Sequence, residues 1–234
     1  MDADSPNGTS KFHADFIVDA TGRSARICSG LGIELEREDN LIGIGGLALG
    51  PAYSEPLPSL VESHPLGWWY SSEIPGHRKI VIFFTDSDLC KENGLARPEC
   101  WFRLLEESAH TVQRLSGYNL ARSLQTFIAS SQCPKRVSCE NWLAIGDAAV
   151  ARDPLSSSGI DFAFASADRA FAALASLVAG NDSAMATYNA DVRADFVAYL
   201  EQRRAYYQLE TRWTDEAFWK RRHLRNGRPL TKTT

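Results

Sequence analysis

The chain has 234 residues, 44% hydrophobic and 23% charged, with a formal net charge of -4. This is ordinary globular composition with enough apolar material for a core, and the mild charge argues against nucleic acid or an anionic membrane surface as a partner. No run reaches the roughly 18–20 apolar residues of a membrane span. Five scattered cysteines without a C-x-x-C suit reduced thiols in a cytoplasmic protein. The five histidines have no ligand spacing, so no metal site is expected, and the acidic, polar start is unlike a signal peptide.

In chain order, DFIVDA (15–20) is a short apolar run closed by Thr21-Gly22 and reads as a buried strand. Residues 24–31 read as a helical turn or two. LIGIGGLAL (41–49) reads as a strand whose glycines mark a bulge or a close backbone approach. A proline-rich loop over 51–65 follows. GWWYSS (67–72) and KIVIFFT (79–85) read as strands joined through the Ile74-Pro75-Gly76-His77 turn. Residues 98–115 predict one helix, 124–129 and 137–145 two strands. From Gly159 the apolar residues Ile160, Phe164, Ala167, Phe171, Leu174 and Val178 recur at helical spacing and predict a helix. Further helices are expected over 184–208 and 214–224. Strands with interspersed helices, an antiparallel block and a helical tail give a mixed α/β (α+β) fold class.

The stretch NWLAIGDAAVARDPLSSSGID (141–161) carries the chemistry. Its apolar strand delivers Gly146-Asp147 to the carboxyl end, the rim where α/β folds place ligands, and Asp147 there can accept hydrogen bonds from sugar or ribityl hydroxyls. Pro154 stiffens the loop. Ser156 to Ser158 can cap a helix starting near Gly159, whose first-turn N–H groups and positive dipole end suit a negatively charged ring edge. Each piece alone is also plain architecture; the combination is more specific.

GDAAVARDPLSSSGIDFA resembles the second flavin-binding motif, G-D-A-A-x-x-x-x-P-x-x-x-x-G, of the class A flavoprotein monooxygenases and the related tryptophan-halogenase-like flavoproteins. DFIVDATGRSARI (15–27) resembles the D-A-T-G turn of the same enzymes. The two motifs stand in the family's order, about 125 residues apart, around an antiparallel block. GWWYSSEIPG is similar to the group's substrate-sheet strand. RRAYYQLETRWTDEAFWKRR is similar to the C-terminal helices of the halogenase-like branch, which includes flavoproteins that accompany quinone-cofactor amine oxidases and dehydrogenases.

The resemblance implies a partial FAD-binding domain (1–38 and 124–180) of the aromatic-hydroxylase type, an antiparallel substrate-binding sheet (39–123) and C-terminal helices (181–234). It implies FAD, held by Asp147 and Gly146 at the ribityl or pyrophosphate side and by the backbone of Ser158, Gly159 and Ile160 at the pyrimidine edge. Pro154 would lie by the reactive face, and Asp19, Gly22 and Arg23 nearer the adenosine half. NAD(P)H or a separate flavin reductase would supply electrons. A flavin C4a-hydroperoxide would hydroxylate an aromatic substrate, a small aromatic molecule or a protein tryptophan. Reduction of unsaturated lipids on the same fold is the alternative, as is a catalytically incomplete fragment that serves only in binding.

Trp69 and Phe83 are the expected substrate-binding residues, among the aromatics Trp68, Trp69, Tyr70, Phe83 and Phe84. Glu73 and His77 are candidates for proton transfer or plain surface turn residues, and the catalytic side chains stay unassigned. The basic run WKRRHLRNGR (219–228) reads as a solvated helix face or a contact for a partner protein. Two departures from the family pattern shape the expectation. No G-x-G-x-x-G opens a helix, which reads as an N-terminal truncation. Trp68-Trp69-Tyr70 and Ile74-Pro75 do not match the halogenases' W-x-W-x-I-P, so halogenation is not expected.

Overall fold

A computed structural model describes residues 2–5, 8–11, 13–51 and 58–224. The strands are β1 (Asp2–Ser5), β2 (Gly8–Lys11), β3 (Ile17–Asp19), β4 (Leu35–Arg37), β5 (Leu41–Leu49), β6 (Leu60–His64), β7 (Gly67–Ile74), β8 (Arg78–Asp86), β9 (Asn119–Leu120), β10 (Gln125–Ile128), β11 (Gln132–Pro134), β12 (Ser138–Cys139) and β13 (Trp142–Ala144). The helices are α1 (Arg26–Gly30), α2 (Ser87–Glu92), α3 (Pro98–Glu106), α4 (Thr111–Arg114), α5 (Gly159–Val178), α6 (Ala184–Gln208) and α7 (Ala217–His223). The chain forms two compact units. One comprises residues up to 36 with 132–151 and 158–198; the other comprises 37–131, 152–157 and 199 onward.

The first unit is built on the sheet β12-β13-β3, in which β13 and β3 run parallel with Trp142 opposite Ile17 and Ala144 opposite Asp19. The strand expected over 137–145 is therefore two short strands, because the chain reverses at Glu140-Asn141 and β12 pairs back on β13. Helix α6 is tied to this sheet by polar bonds: Tyr188 Oη donates to the Ala144 carbonyl at 2.7 Å, and Asn189 accepts from Val137 N at 2.9 Å. Burial pushes the Tyr188 phenol up to about 12, so it stays a donor.

Helix α5 forms where the periodicity predicts it, but the apolar repeat is not its buried face. Phe162, Ser166 and Ala170 are buried, whereas Ile160, Phe164, Phe171 and Val178 are 71–78% exposed. The helix is apolar on more than one side, so periodicity alone cannot choose a face. The face with serine and alanine allows closer approach: Ser166 Oγ accepts from Gly146 N at 2.8 Å, and Ala163 lies 3.5 Å from where a Gly146 side chain would start.

The second unit holds a six-stranded sheet of order β10-β5-β8-β7-β6, with β9 also on β5 and all pairings antiparallel. Part of the segment read as a proline-rich loop, Leu60–His64, is its edge strand β6; residues 52–57 lie outside the described part. Strand alternation sorts the aromatics onto two faces. Trp69, Phe83, Ile44 and Val81 pack against Trp101, Leu104 and Leu105 of α3. Trp68, Phe84, Ile82 and Leu41 pack with Tyr207, Phe218 and Trp219. Each fully buried ring contributes about 1.5–3 kcal/mol through burial.

The β5 glycines serve close approach and not a bulge, since the β5–β8 register runs unbroken from Leu41–Asp86 to Leu49–Arg78. A side chain at Gly43 would collide with the rings of Phe127 and Phe84, and one at Gly45 with the Val81 carbonyl. The helix expected over 98–115 is broken into α3 and α4. Glu62 of β6 reaches the break and accepts from Ala109 N, His110 N and Thr111 N as well as Thr111 Oγ1. A carboxylate at that position starts α4 anew.

Candidate functional site

Because β3 and β13 are parallel neighbours, their carboxyl ends open side by side, and each runs into a tight 310 turn, Gly22–Ser24 and Gly146–Ala148. Gly22 takes φ +67°, a left-handed value that glycine adopts at little cost. The juxtaposition brings Arg23 Nε within 3.3 Å of Asp147 Oδ2, with both side chains about one-third exposed or less. Gln132 Nε2 donates to the Arg23 carbonyl at 2.6 Å and steadies the turn.

Asp19 ends β3, just ahead of the Gly22–Ser24 turn. It is fully buried, and its carboxylate accepts from Thr21 N, Thr21 Oγ1, Ile27 N and Cys28 N. Burial works to raise this carboxyl, but the Thr21 and Cys28 bonds hold it below its ordinary range. Asp19 thus shapes the D-A-T-G turn and caps α1, which sets the position of Arg23. Beside it the Cys28 thiol, buried and facing this carboxylate, is pushed up to about 12 and stays protonated.

In the same unit, α5 begins at Gly159 after Ser158, and the Ser158 side chain makes no capping bond. A Cβ at Gly159 would meet nothing within 4 Å, and Ile160 is 74% exposed. The first-turn N–H groups have no intrahelical acceptor, so this helix start can receive a planar, electron-rich edge. Gly146, by contrast, spends its N–H on Ser166.

Pro154 belongs to the second unit, in the 310 turn Pro154–Ser156. Asp153 fixes this turn in a way the sequence reading missed. Its carboxylate, 1% exposed, accepts from Leu155 N at 2.9 Å, Arg203 Nε at 2.9 Å and Tyr207 Oη at 2.7 Å. Asp153 N donates to Tyr199 Oη at 2.6 Å, and Arg203 also pairs with Asp39. Burial opposes the Arg203 charge, but Asp39 and Asp153 more than offset it, and the guanidinium stays charged. Tyr207 Oη in turn accepts from Trp68 Nε1 at 3.1 Å, which links the Pro154 turn to strand β7. The available signal was the spacing Tyr199, Arg203, Tyr207, which sets three polar groups on one side of α6.

Trp69 and Phe83 do not present open faces to a substrate. Both are 0% exposed, their rings 4.8 Å apart, with Trp101 edge-on to Trp69 at 5.0 Å. Alternation put them on the face that α3 covers. Glu73 pairs with Lys79 at 3.5 Å, and His77 occupies the left-handed position of the β7–β8 turn. Of the basic C-terminal run, Arg222 is buried on Asp86, and Arg221 pairs with Asp86 and Asp88. Residues 225–228 of that run lie outside the described part. Among the described residues no group of three or more His, Cys, Asp or Glu is placed to hold a metal ion, and no helix is long and apolar enough to cross a membrane.

The sequence pattern of the tryptophan halogenases matches residues 100–232. The chain belongs to the tryptophan halogenase family. This is a family of flavin-dependent enzymes, and relatives agree with that assignment. The putative FAD-dependent oxidoreductase LodB of Marinomonas mediterranea is 32% identical over 210 residues, which are 89% of this chain and 56% of LodB. In fold the chain is similar to CmlS, a flavin-dependent halogenase, with TM-score 0.82 and 19% identity over 96% of this chain and 42% of that one. It is also similar to QhpG, a peptidyl tryptophan dihydroxylase essential for tryptophylquinone cofactor biogenesis, with TM-score 0.76 and 22% identity over 93% of this chain and 50% of QhpG. The chain thus spans about half the length of these proteins. Halogenases and a hydroxylase share the fold, so the likeness favours neither halide nor hydroxyl transfer.

Proposed function

We propose that this chain supplies FAD-holding and substrate-sheet elements of a monooxygenase-type oxidoreductase that hydroxylates an aromatic ring, with a protein tryptophan as the substrate class. The observation that carries the reading is the Arg23–Asp147 pair at the carboxyl ends of two parallel strands, in one unit with the open start of α5. The residues suit a flavin. Asp147 offers a carboxylate to a polyol chain, and Arg23 a cation to the phosphate or adenosine side. The backbone N–H groups at Gly159 and Ile160, in the first turn of α5, offer donors to a ring edge that gains negative charge on reduction. Gly159 lets that edge come close, because nothing occupies the space a side chain would fill.

Bound FAD supplies the redox and oxygen-activating chemistry. The chain's own residues bind and orient. Asp19 holds the turn that presents Arg23, and the Asp153–Arg203–Tyr207 cluster keeps the Pro154 turn in one conformation. Electrons come from NAD(P)H or a separate flavin reductase.

The test is titration of the purified chain with FAD, followed by flavin fluorescence. Saturable binding that weakens in Asp147→Ala is the expected result; no binding, or binding indifferent to Asp147→Ala and Arg23→Ala, overturns the reading. For the reaction, an aromatic or tryptophan-peptide substrate is supplied with reduced flavin and oxygen and its product mass read with and without bromide. Gain of oxygen in both supports hydroxylation. Bromide incorporation supports halogenation, the second reading, which the family match leaves open.

A further inference from the structure

The outward side of α5 carries a pattern that packing within the first unit does not use. Ile160, Ala167 and Leu174 follow one another at seven-residue intervals, and so do Phe164, Phe171 and Val178. Taken together, the steps alternate between four and three residues, the seam by which one helix packs along another. Ile160, Phe164, Phe171 and Val178 are each more than two-thirds exposed, and Ala167 and Leu174 are half-buried. What ties α5 to its own unit lies on other sides of the helix. Phe162, Ser166 and Ala170 are buried there, and Arg169 pairs with Asp195 of α6 at 2.6 Å. A contiguous apolar stripe left in water marks an interaction surface.

The order of side chains along the seam says what fits it. The six positions are symmetric about residue 169, so a second copy of α5 laid antiparallel, with a two-fold axis at that level, meets the first in complementary layers. Ile160 comes level with Val178 of the second copy, Phe164 with its Leu174, and the small Ala167 with its Phe171. Each contact is then made twice, as a two-fold interface requires. A parallel copy would set Phe164 and Phe171 each against itself and leave Ala167 opposite Ala167, alternating crowding with a void. In area, the four phenylalanine rings of two copies alone bring on the order of 600 Å², and Ile160, Leu174 and Val178 extend this toward the roughly 1,200 Å² at the small end of stable interfaces.

The flanks of the seam differ. Asp161, Asp168 and Ala175 border one side; Ala163, Ala170 and Leu177 border the other. Antiparallel pairing sets like flank against like, so Asp168 approaches Asp168 of the second copy across the axis. A parallel pair would place it beside the alanine flank instead. The like charges weaken the antiparallel pair and hold association in the micromolar range, so that in more dilute solution the monomer presents the seam to solvent.

We propose that α5 is a self-association surface, through which two copies of this chain pair antiparallel about an axis at Arg169. The proposal stands on the first unit alone and needs no flavin.

The test is sedimentation velocity of the purified chain from about 1 to about 100 μM, a span that brackets micromolar dissociation constants. A shift from the 25.9 kDa monomer to a species of twice that mass is expected. Phe171→Glu and Phe164→Glu, both at exposed positions, should each weaken the dimer by about tenfold or more, with far-UV circular dichroism reporting that they fold. Leu49→Ser, at an exposed apolar position of the second unit, should leave it unchanged. Asp168→Asn should tighten it by about two- to fivefold. A monomer at every concentration, an assembly other than a dimer, or a dimer that both glutamate variants leave intact overturns the proposal. A dimer that Asp168→Asn leaves unchanged or weakens overturns the antiparallel arrangement.

Discussion

Arg23 and Asp147, far apart in the chain, meet at 3.3 Å because β3 and β13 are adjacent parallel strands that end at the same level. Partly exposed pairs contribute little to stability, about 0–1 kcal/mol, so the pair is better placed to meet a ligand than to hold the fold. Asp147→Ala and Arg23→Ala should each shift the urea midpoint only slightly yet weaken FAD at least tenfold in a fluorescence titration. A large loss of stability with unchanged flavin affinity would assign the pair to the scaffold.

The buried cluster behind the Pro154 turn predicts the opposite balance. Arg203→Met leaves Asp39 and Asp153 as uncompensated buried carboxylates and should cost about 3–5 kcal/mol. Tyr207→Phe strands the Trp68 indole donor and removes one bond to Asp153, at about 1–3 kcal/mol. Urea unfolding measures both, and a value below about 1 kcal/mol for Arg203→Met would contradict the described network.

Glu210 gives a pH dependence with a definite sign. Arg212 donates to its carboxylate and, against the opposing effect of burial, lowers it from 4.5 to about 2 in the fold. Between these values the unfolded chain binds more protons than the folded one. Glu210's contribution is therefore complete above pH 4.5 and is lost as pH falls toward 2. Glu210→Gln should flatten the stability profile across that window and leave its shape above it unchanged, as read from urea midpoints at successive pH values.

Helix α5 separates two classes of phenylalanine. Phe162 is 3% exposed, and Phe162→Ala should cost about 3–5 kcal/mol. Phe164 and Phe171 are 71% and 75% exposed, so Phe171→Ser should change stability by no more than about 0.5 kcal/mol while lowering binding of a hydrophobic dye. Thermal melts with dye fluorescence report both quantities. Equal destabilisation at the two positions would mean that both sides of α5 are buried.

The elements that local chemistry dictates were legible in the sequence. Apolar runs closed by Thr21-Gly22 and Gly146-Asp147 became the parallel pair, and Pro75-Gly76-His77 became the β7–β8 turn. What escaped was set by distant partners. The break at Ala109–His110 depends on Glu62, 47 residues or more away, and the Pro154 turn on Tyr199, Arg203 and Tyr207. The α5 face escaped for another reason: several sides of the helix are apolar, and tight contact at Gly146 and Ser166, not hydrophobicity, selects the buried one. At the candidate site, the strand ends and helix start were readable from motif spacing. The enclosure of Asp19 and the burial of Trp69 and Phe83 required the three-dimensional register.

Gly43 and Phe127 fill a single volume, since the ring lies where a side chain at 43 would begin. The two positions are therefore bound to a shared evolutionary fate. A lineage that replaces the glycine must also shrink the ring opposite it, and one that keeps phenylalanine must keep glycine. Among homologues that retain this strand pairing, the two columns should change together or not at all.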